Sequence, residues 1–173
     1  MDKIIKPFSE NIIFFDTEFS SLNPYNGEIL SMGLVKLNGE ELYLEFEYKG
    51  DVDKWPKENV LPLLKNEKVK REDALPIIKK FVGDNRPYLV SYINQFDIIY
   101  LYKLLGIDNH PFHWVPVDFS SILFGLGIDP EIIAIDDKNF FEEYDIDTKK
   151  YLRHHALDDA KLLREVYLKI ILN

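Results

Sequence analysis

The chain has 173 residues and a net charge of −9, with 46% hydrophobic and 14% aromatic residues. That length and apolar content suit one domain, residues 1–173, with a substantial core, and argue against disorder. The absence of cysteine excludes disulfides and thiolate metal sites and fits a cytoplasmic protein, while a pI near 4.9 argues against a protein that coats duplex nucleic acid. An acidic enzyme that grips a few nucleotides at a strand end needs few phosphate contacts, and bound cations would supply local positive charge. The apolar stretch in Met1–Pro7 is too short for a signal peptide, and no apolar run approaches the roughly 20 residues that span a bilayer.

In chain order, Asn11–Asp16 reads as a strand buried on both faces. Asn26-Gly27 marks a turn before a second strand over Glu28–Leu37, and Asn38-Gly39 a tight hairpin turn. The third strand alternates, with Leu42, Leu44, Phe46 and Tyr48 on one face and Tyr43, Glu45 and Glu47 on the other. The chain therefore opens as an antiparallel meander. Helices are predicted over Lys57–Lys65 and Arg71–Val82, with Pro76 a local difficulty in the second. A short strand at Tyr88–Tyr92 precedes a helix over Phe96–Leu105 that stops at Gly106. A fifth strand is predicted at Trp114–Val117, with Asp118 capping a short helix near Phe119–Phe124. Leu126–Asp147 reads as loop-rich, and Ala156–Leu172 as an amphipathic helix. The order implies an α/β fold, a mixed five-stranded sheet flanked by helices, as in the ribonuclease H-like architecture.

Four carboxylates carry the functional signal. Asp16 and Glu18 end the first strand two residues apart, hence on one face, where their mutual repulsion favours a cation between them. Asp97 follows the fourth strand within Asn94-Gln95-Phe96-Asp97, and open sheets gather their sites along such strand ends. His154 and Asp159 lie in His154-His155-Ala156-Leu157-Asp158-Asp159. A spacing of five does not share one helical face, so the two meet only if His154 precedes the helix and Asp159 lies in its first turns. Asp158 reads as an ordinary exposed acid.

Taken singly, each of these groups is also what a strand end or a helix start carries. Together, a strand-end D-x-E, then Asn-x-Phe-Asp, then His-x-Ala-x-x-Asp resemble the three motifs of the DEDDh 3′–5′ exonuclease superfamily, which includes the polymerase proofreading subunit, oligoribonuclease and RNase T. Phe15-Asp16-Thr17-Glu18-Phe19, with Trp55 five residues before Val60-Leu61-Pro62, is similar to a small bacterial family typified by an adenylate-specific exoribonuclease. Asn94 departs from that smaller family and matches proofreading enzymes.

The resemblance implies two divalent cations, Mg²⁺ or Mn²⁺, held about 3.5–4 Å apart by Asp16, Glu18, Asp97 and Asp159. It implies His154 as general base, and His155 as a residue that points away or caps the helix. It implies release of nucleoside 5′-monophosphates from single-stranded 3′ ends, RNA favoured over DNA, by a homodimer. The alternatives are a single-stranded DNA exonuclease of proofreading or repair type and an inactive nucleic-acid-binding domain. Thr17, Phe19 and Asn94 are the expected substrate contacts. Phe19 either stacks on a base or belongs to the core, and Asn94 either touches substrate or caps the helix bearing Asp97. Lys65, Lys68, Lys70 and Arg71 form the densest basic segment, fit to track phosphates or to end a solvated helix. His110, His113 and Trp114 read as a loop packed by aromatics rather than a metal site.

Overall fold

The computed structural model describes residues 6–172; the Met1–Pro7 stretch therefore lies largely outside the described residues. Among these, six strands and six α-helices follow in the order β1 (Ile12–Phe19), β2 (Ile29–Lys36), β3 (Glu41–Phe46), α1 (Lys54–Asn59), β4 (Lys68–Val69), α2 (Arg71–Val82), β5 (Tyr88–Ser91), α3 (Asn94–Leu105), β6 (Val117–Asp118), α4 (Phe119–Leu126), α5 (Lys138–Glu143) and α6 (Ala156–Ile171). The sheet is mixed, with order β4-β3-β2-β1-β5-β6. The antiparallel β1-β2-β3 meander is present as the two turn signals require, and β5 lies parallel to β1 and β6 parallel to β5. The described chain has no helix long and apolar enough to cross a membrane.

β1 is central and apolar on both faces, and each face carries its own core. Ile12 and Phe14, with Val35 and Val90, pack beneath Leu162, Leu163, Val166 and Tyr167 of α6 and beneath Phe119, Leu123, Phe140 and Phe141. Ile13 and Phe15, with Met32, Leu34, Leu44 and Phe46, pack against Ala74 and Ile78 of α2 and Tyr100 and Leu101 of α3. Alternate residues of β1 thus anchor the helices on opposite sides.

Several sequence expectations are corrected. The sheet has six strands, not five, because Lys68–Val69 adds an edge strand parallel to β3. Its anchor is Glu45, on the β3 face opposite Leu44 and Phe46, which is only 1% exposed. Glu45 accepts hydrogen bonds from the Lys65 and Asn66 backbone N–H groups, at 3.0 and 3.1 Å, and pairs with Lys68. A carboxylate so buried needs these partners. Arg71 lies 3.6 Å from Glu28, so two of the four cations in the basic segment are held internally. The helix expected over Lys57–Lys65 starts at Lys54 and stops at Asn59, followed by a 3₁₀ turn at Leu61–Leu63. Pro62, inside that turn, has no N–H with which to continue an α-helical ladder. The strand expected at Trp114–Val117 forms only at Val117–Asp118, since Pro116 has no N–H to give the ladder. The segment read as loop-rich contains α5, capped by Asp137 through the Phe140 N–H at 2.9 Å. Asp118 caps α4 as expected, and α2 accommodates Pro76 within its span.

Candidate metal centre

β1, β5 and β6 are parallel, so their C-terminal ends open on one edge of the sheet. Asp16 and Glu18 stand there on the α6 side, the register slipping at Glu18/Phe19 as the strand leaves the ladder. Asp16 pairs with Gly33 of β2. A Cβ on Gly33 would sit 2.5 Å from the Ala156 carbonyl carbon and would also strike Leu157. Only glycine lets the start of α6 lie directly on the sheet beside Asp16.

The segment entering α6 is bent so that Asp159 faces this edge. His154 has φ +63°, a left-handed conformation that a non-glycine residue adopts at a cost of order 1–3 kcal/mol. Its backbone N–H donates to Asp159 Oδ2 at 2.8 Å, which holds the bend. His154 thus precedes the helix and Asp159 lies in its first turn, the arrangement that a spacing of five requires. Ligand atoms of Glu18, His154 and Asp159 all lie within 4.8 Å of one another.

Asp97, in the first turn of α3, is tied to the same strand. The Thr17 backbone N–H and hydroxyl both donate to Asp97 Oδ1, at 3.0 and 2.6 Å. Asp16, Thr17, Glu18, Asp97, His154 and Asp159 line one cavity of about 550 Å³. Its other walls are largely apolar or aromatic, among them Phe19, Leu22, Trp55, Tyr92, Ile93 and Phe96.

Burial raises every acid of the group, and crowding adds to it at Asp16, Glu18 and Asp97. Burial, then Asp97, Asp159 and Glu18, push Asp16 far above the usual carboxylate range. Burial and the nearby Asp159 and Asp97 carry Glu18 to about 8. Burial outweighs the two Thr17 hydrogen bonds and carries Asp97 to about 7. Asp159 is raised by burial, against the opposing pull of Arg153. Burial lowers His154 below the usual histidine value, which favours its neutral imidazole.

The remaining expected residues separate. Phe19 stacks on Tyr100, with ring centroids 4.6 Å apart, and also lines the cavity, so its ring belongs partly to the core. Asn94 opens α3 one residue after the Ile93 N-cap. Its backbone N–H donates to Asp118 Oδ1 at 3.0 Å, and it is not among the cavity-lining residues, unlike its neighbours Ile93 and Phe96. His155 is the N-cap of α6 without a side-chain capping bond, and its ring lies on Tyr43 at 4.4 Å. Asp158 accepts from the Leu152 N–H at 3.0 Å, outside the cavity lining. His110 stacks on Tyr102 and His113 lies 4.0 Å from Tyr88, an aromatic-packed loop as expected.

Among the cavity residues missing from the site list drawn from sequence, two touch its charged members directly. Arg153 lies 3.0 Å from Asp159 Oδ1, and Trp55 meets the His154 ring edge-on at 4.8 Å. Position next to His154 was the available signal for Arg153; for Trp55 it was the spacing to Val60-Leu61-Pro62. Comparison of the chain with protein-family models and with curated proteins finds no match.

Proposed function

We propose that the protein is a metal-dependent 3′–5′ exonuclease that removes nucleoside 5′-monophosphates from single-stranded RNA, on a ribonuclease H-like fold. The observation that carries this is the meeting of Asp16, Glu18, Asp97, Asp159 and His154 in one cleft with aromatic walls. The donor set fits hard divalent cations such as Mg²⁺ or Mn²⁺: it is dominated by carboxylate oxygen, and it is buried. Asp159 Oδ1 is buried without a hydrogen-bond partner, as an oxygen kept for a cation would be. Neighbouring carboxylates raise the pKa of Asp16, Glu18 and Asp97, and bound cations would relieve that repulsion.

Asp16, Glu18, Asp97 and Asp159 would hold two ions. These would supply positive charge to the phosphodiester and acidify a bound water. His154, its pKa lowered by burial and its ring against the edge of Trp55, would take the proton of the attacking water. Thr17 fixes the carboxylate of Asp97. The cleft walls offer aromatic faces for a nucleobase.

Matched 5′-labelled RNA and DNA oligomers, digested with Mg²⁺ and resolved by mass, test this. Stepwise shortening of RNA from its 3′ end with release of 5′-monophosphates is expected. Faster digestion of DNA would move the assignment to a proofreading-type enzyme. Binding without cleavage, in wild type and Asp16→Asn alike, would leave only a nucleic-acid-binding domain.

A further inference from the structure

Arg153 is the single Lys or Arg among the residues that line the cleft, against five carboxylates: Asp16, Glu18, Asp53, Asp97 and Asp159. It stands against Asp159. Asp159 Oδ2 is taken by the His154 N–H, whereas Oδ1 has no hydrogen bond and only the Arg153 guanidinium, 3.0 Å away. The positive charge of Arg153 also bears on Asp16 and Glu18. In this arrangement the guanidinium stands where a cation would be held. An ion ligated by Oδ1 would repel it from that place, because two positive groups would then share one oxygen.

Displaced from Asp159, the guanidinium has few places to go. Its side chain is only one-third exposed, and it belongs to the segment pinned by the His154–Asp159 hydrogen bond. It stays in the cleft, beside walls made of Phe19, Trp55, Tyr92 and Phe96. One fork-shaped cation among aromatic faces matches a ligand with a planar base and a phosphate. We infer that Arg153 works in two positions: it closes Asp159 while the site lacks a cation, and after cation binding its guanidinium holds the phosphate of the substrate's terminal nucleotide. The phosphate assignment rests on the exonuclease reading. The role on Asp159 rests on the ion pair alone.

The consequence is an ordered binding: the cation releases the group that then binds nucleotide. Calorimetry on the full chain tests it with Mg²⁺ alone, then with adenosine 5′-monophosphate added to Mg²⁺-saturated protein. Arg153→Gln should bind Mg²⁺ more tightly, by about 10-fold, and adenosine 5′-monophosphate more weakly, by about 10-fold or more, the scale of a charged hydrogen bond. Arg153→Lys, which keeps the charge but loses the fork, should retain most of the Mg²⁺ competition and lose part of the nucleotide affinity. Lys161→Gln removes a nearby charge that pairs with Glu41 and Asp158 outside the cleft, and should change neither. Equal Mg²⁺ effects from Lys161→Gln and Arg153→Gln would reduce the competition to general electrostatics and overturn it. Unchanged nucleotide affinity in Arg153→Gln overturns the second position while leaving the exonuclease reading intact. Failure of the wild type to bind Mg²⁺ overturns both.

Discussion

Replacement of Gly33 by alanine tests whether the docking of α6 on the sheet sets the site. The new Cβ would lie 2.5 Å from the Ala156 carbonyl carbon, whereas ordinary contact begins at 3.4 Å, so the helix start must retreat by about 1 Å. The obstacle is backbone on both sides, which cannot rotate away as a side chain can. Overpacking of this kind costs ~1–3 kcal/mol, and for a chain of this size each kcal/mol lowers Tm by roughly 2–4 °C. The larger effect falls on function. Asp159 is three residues beyond Ala156, and misplacement of a catalytic group by about 1 Å can cost on the order of 10²-fold in rate. Thermal melting, Mg²⁺ calorimetry and RNA digestion should therefore show a modestly less stable protein with weakened cation binding and a kcat reduced about 100-fold. Gly125→Ala in α4, where a Cβ meets open space, is the control and should be neutral or slightly stabilising. Wild-type melting, cation affinity and turnover in Gly33→Ala would refute the claim that this contact positions Asp159.

In the cation-free protein, the Glu18 pKa near 8 means that the folded state keeps a proton the unfolded chain loses near 4.5. Stability therefore falls as pH rises across that window, by at most ~5 kcal/mol from this group. Glu18→Gln should flatten the slope of Tm between pH 5 and 8.5, and saturating Mg²⁺ should flatten it in the wild type; an unchanged slope in the variant contradicts the burial argument. Asp16→Asn should abolish RNA digestion while the circular dichroism spectrum stays native, and wild-type-like rates would remove the two-cation assignment. His154→Ala should lower kcat by roughly 10²–10⁴ with Mg²⁺ binding largely retained, while His155→Ala should cost little turnover; the reverse order would mean that His155 is the base. Sedimentation should give a homodimer, twice 20.4 kDa, and a monomer alone at working concentration would end that expectation.

What could be read from the chain alone was whatever depends on local spacing. The Asn26-Gly27 and Asn38-Gly39 turns and the two-residue alternation place β1 to β3, and the period change places the helices, because turn chemistry and side-chain period are properties of neighbouring residues. The same holds for the acids: strand geometry puts Asp16 and Glu18 on one face, and the spacing of five makes His154 precede α6 if it is to meet Asp159. Glu45 shows where this ends. Alternation sets it on one face with Tyr43 and Glu47 but does not reveal its burial, which the backbone of Lys65 and Asn66, some twenty residues on, permits by supplying partners. That long-range pairing also makes β4, which has too few residues for any periodicity. Pro62 and Pro116 moved element boundaries through donor effects that a pattern of apolar residues does not register. At the site, the pairing of Arg153 with Asp159, the edge of Trp55 on His154 and the seat of α6 on Gly33 all join segments far apart in the chain or set by an unusual backbone angle. The raised pKa values of the four acids belong there too. Burial and charge proximity are properties of the packed state, so tertiary structure alone decides how strongly these carboxylates favour a cation.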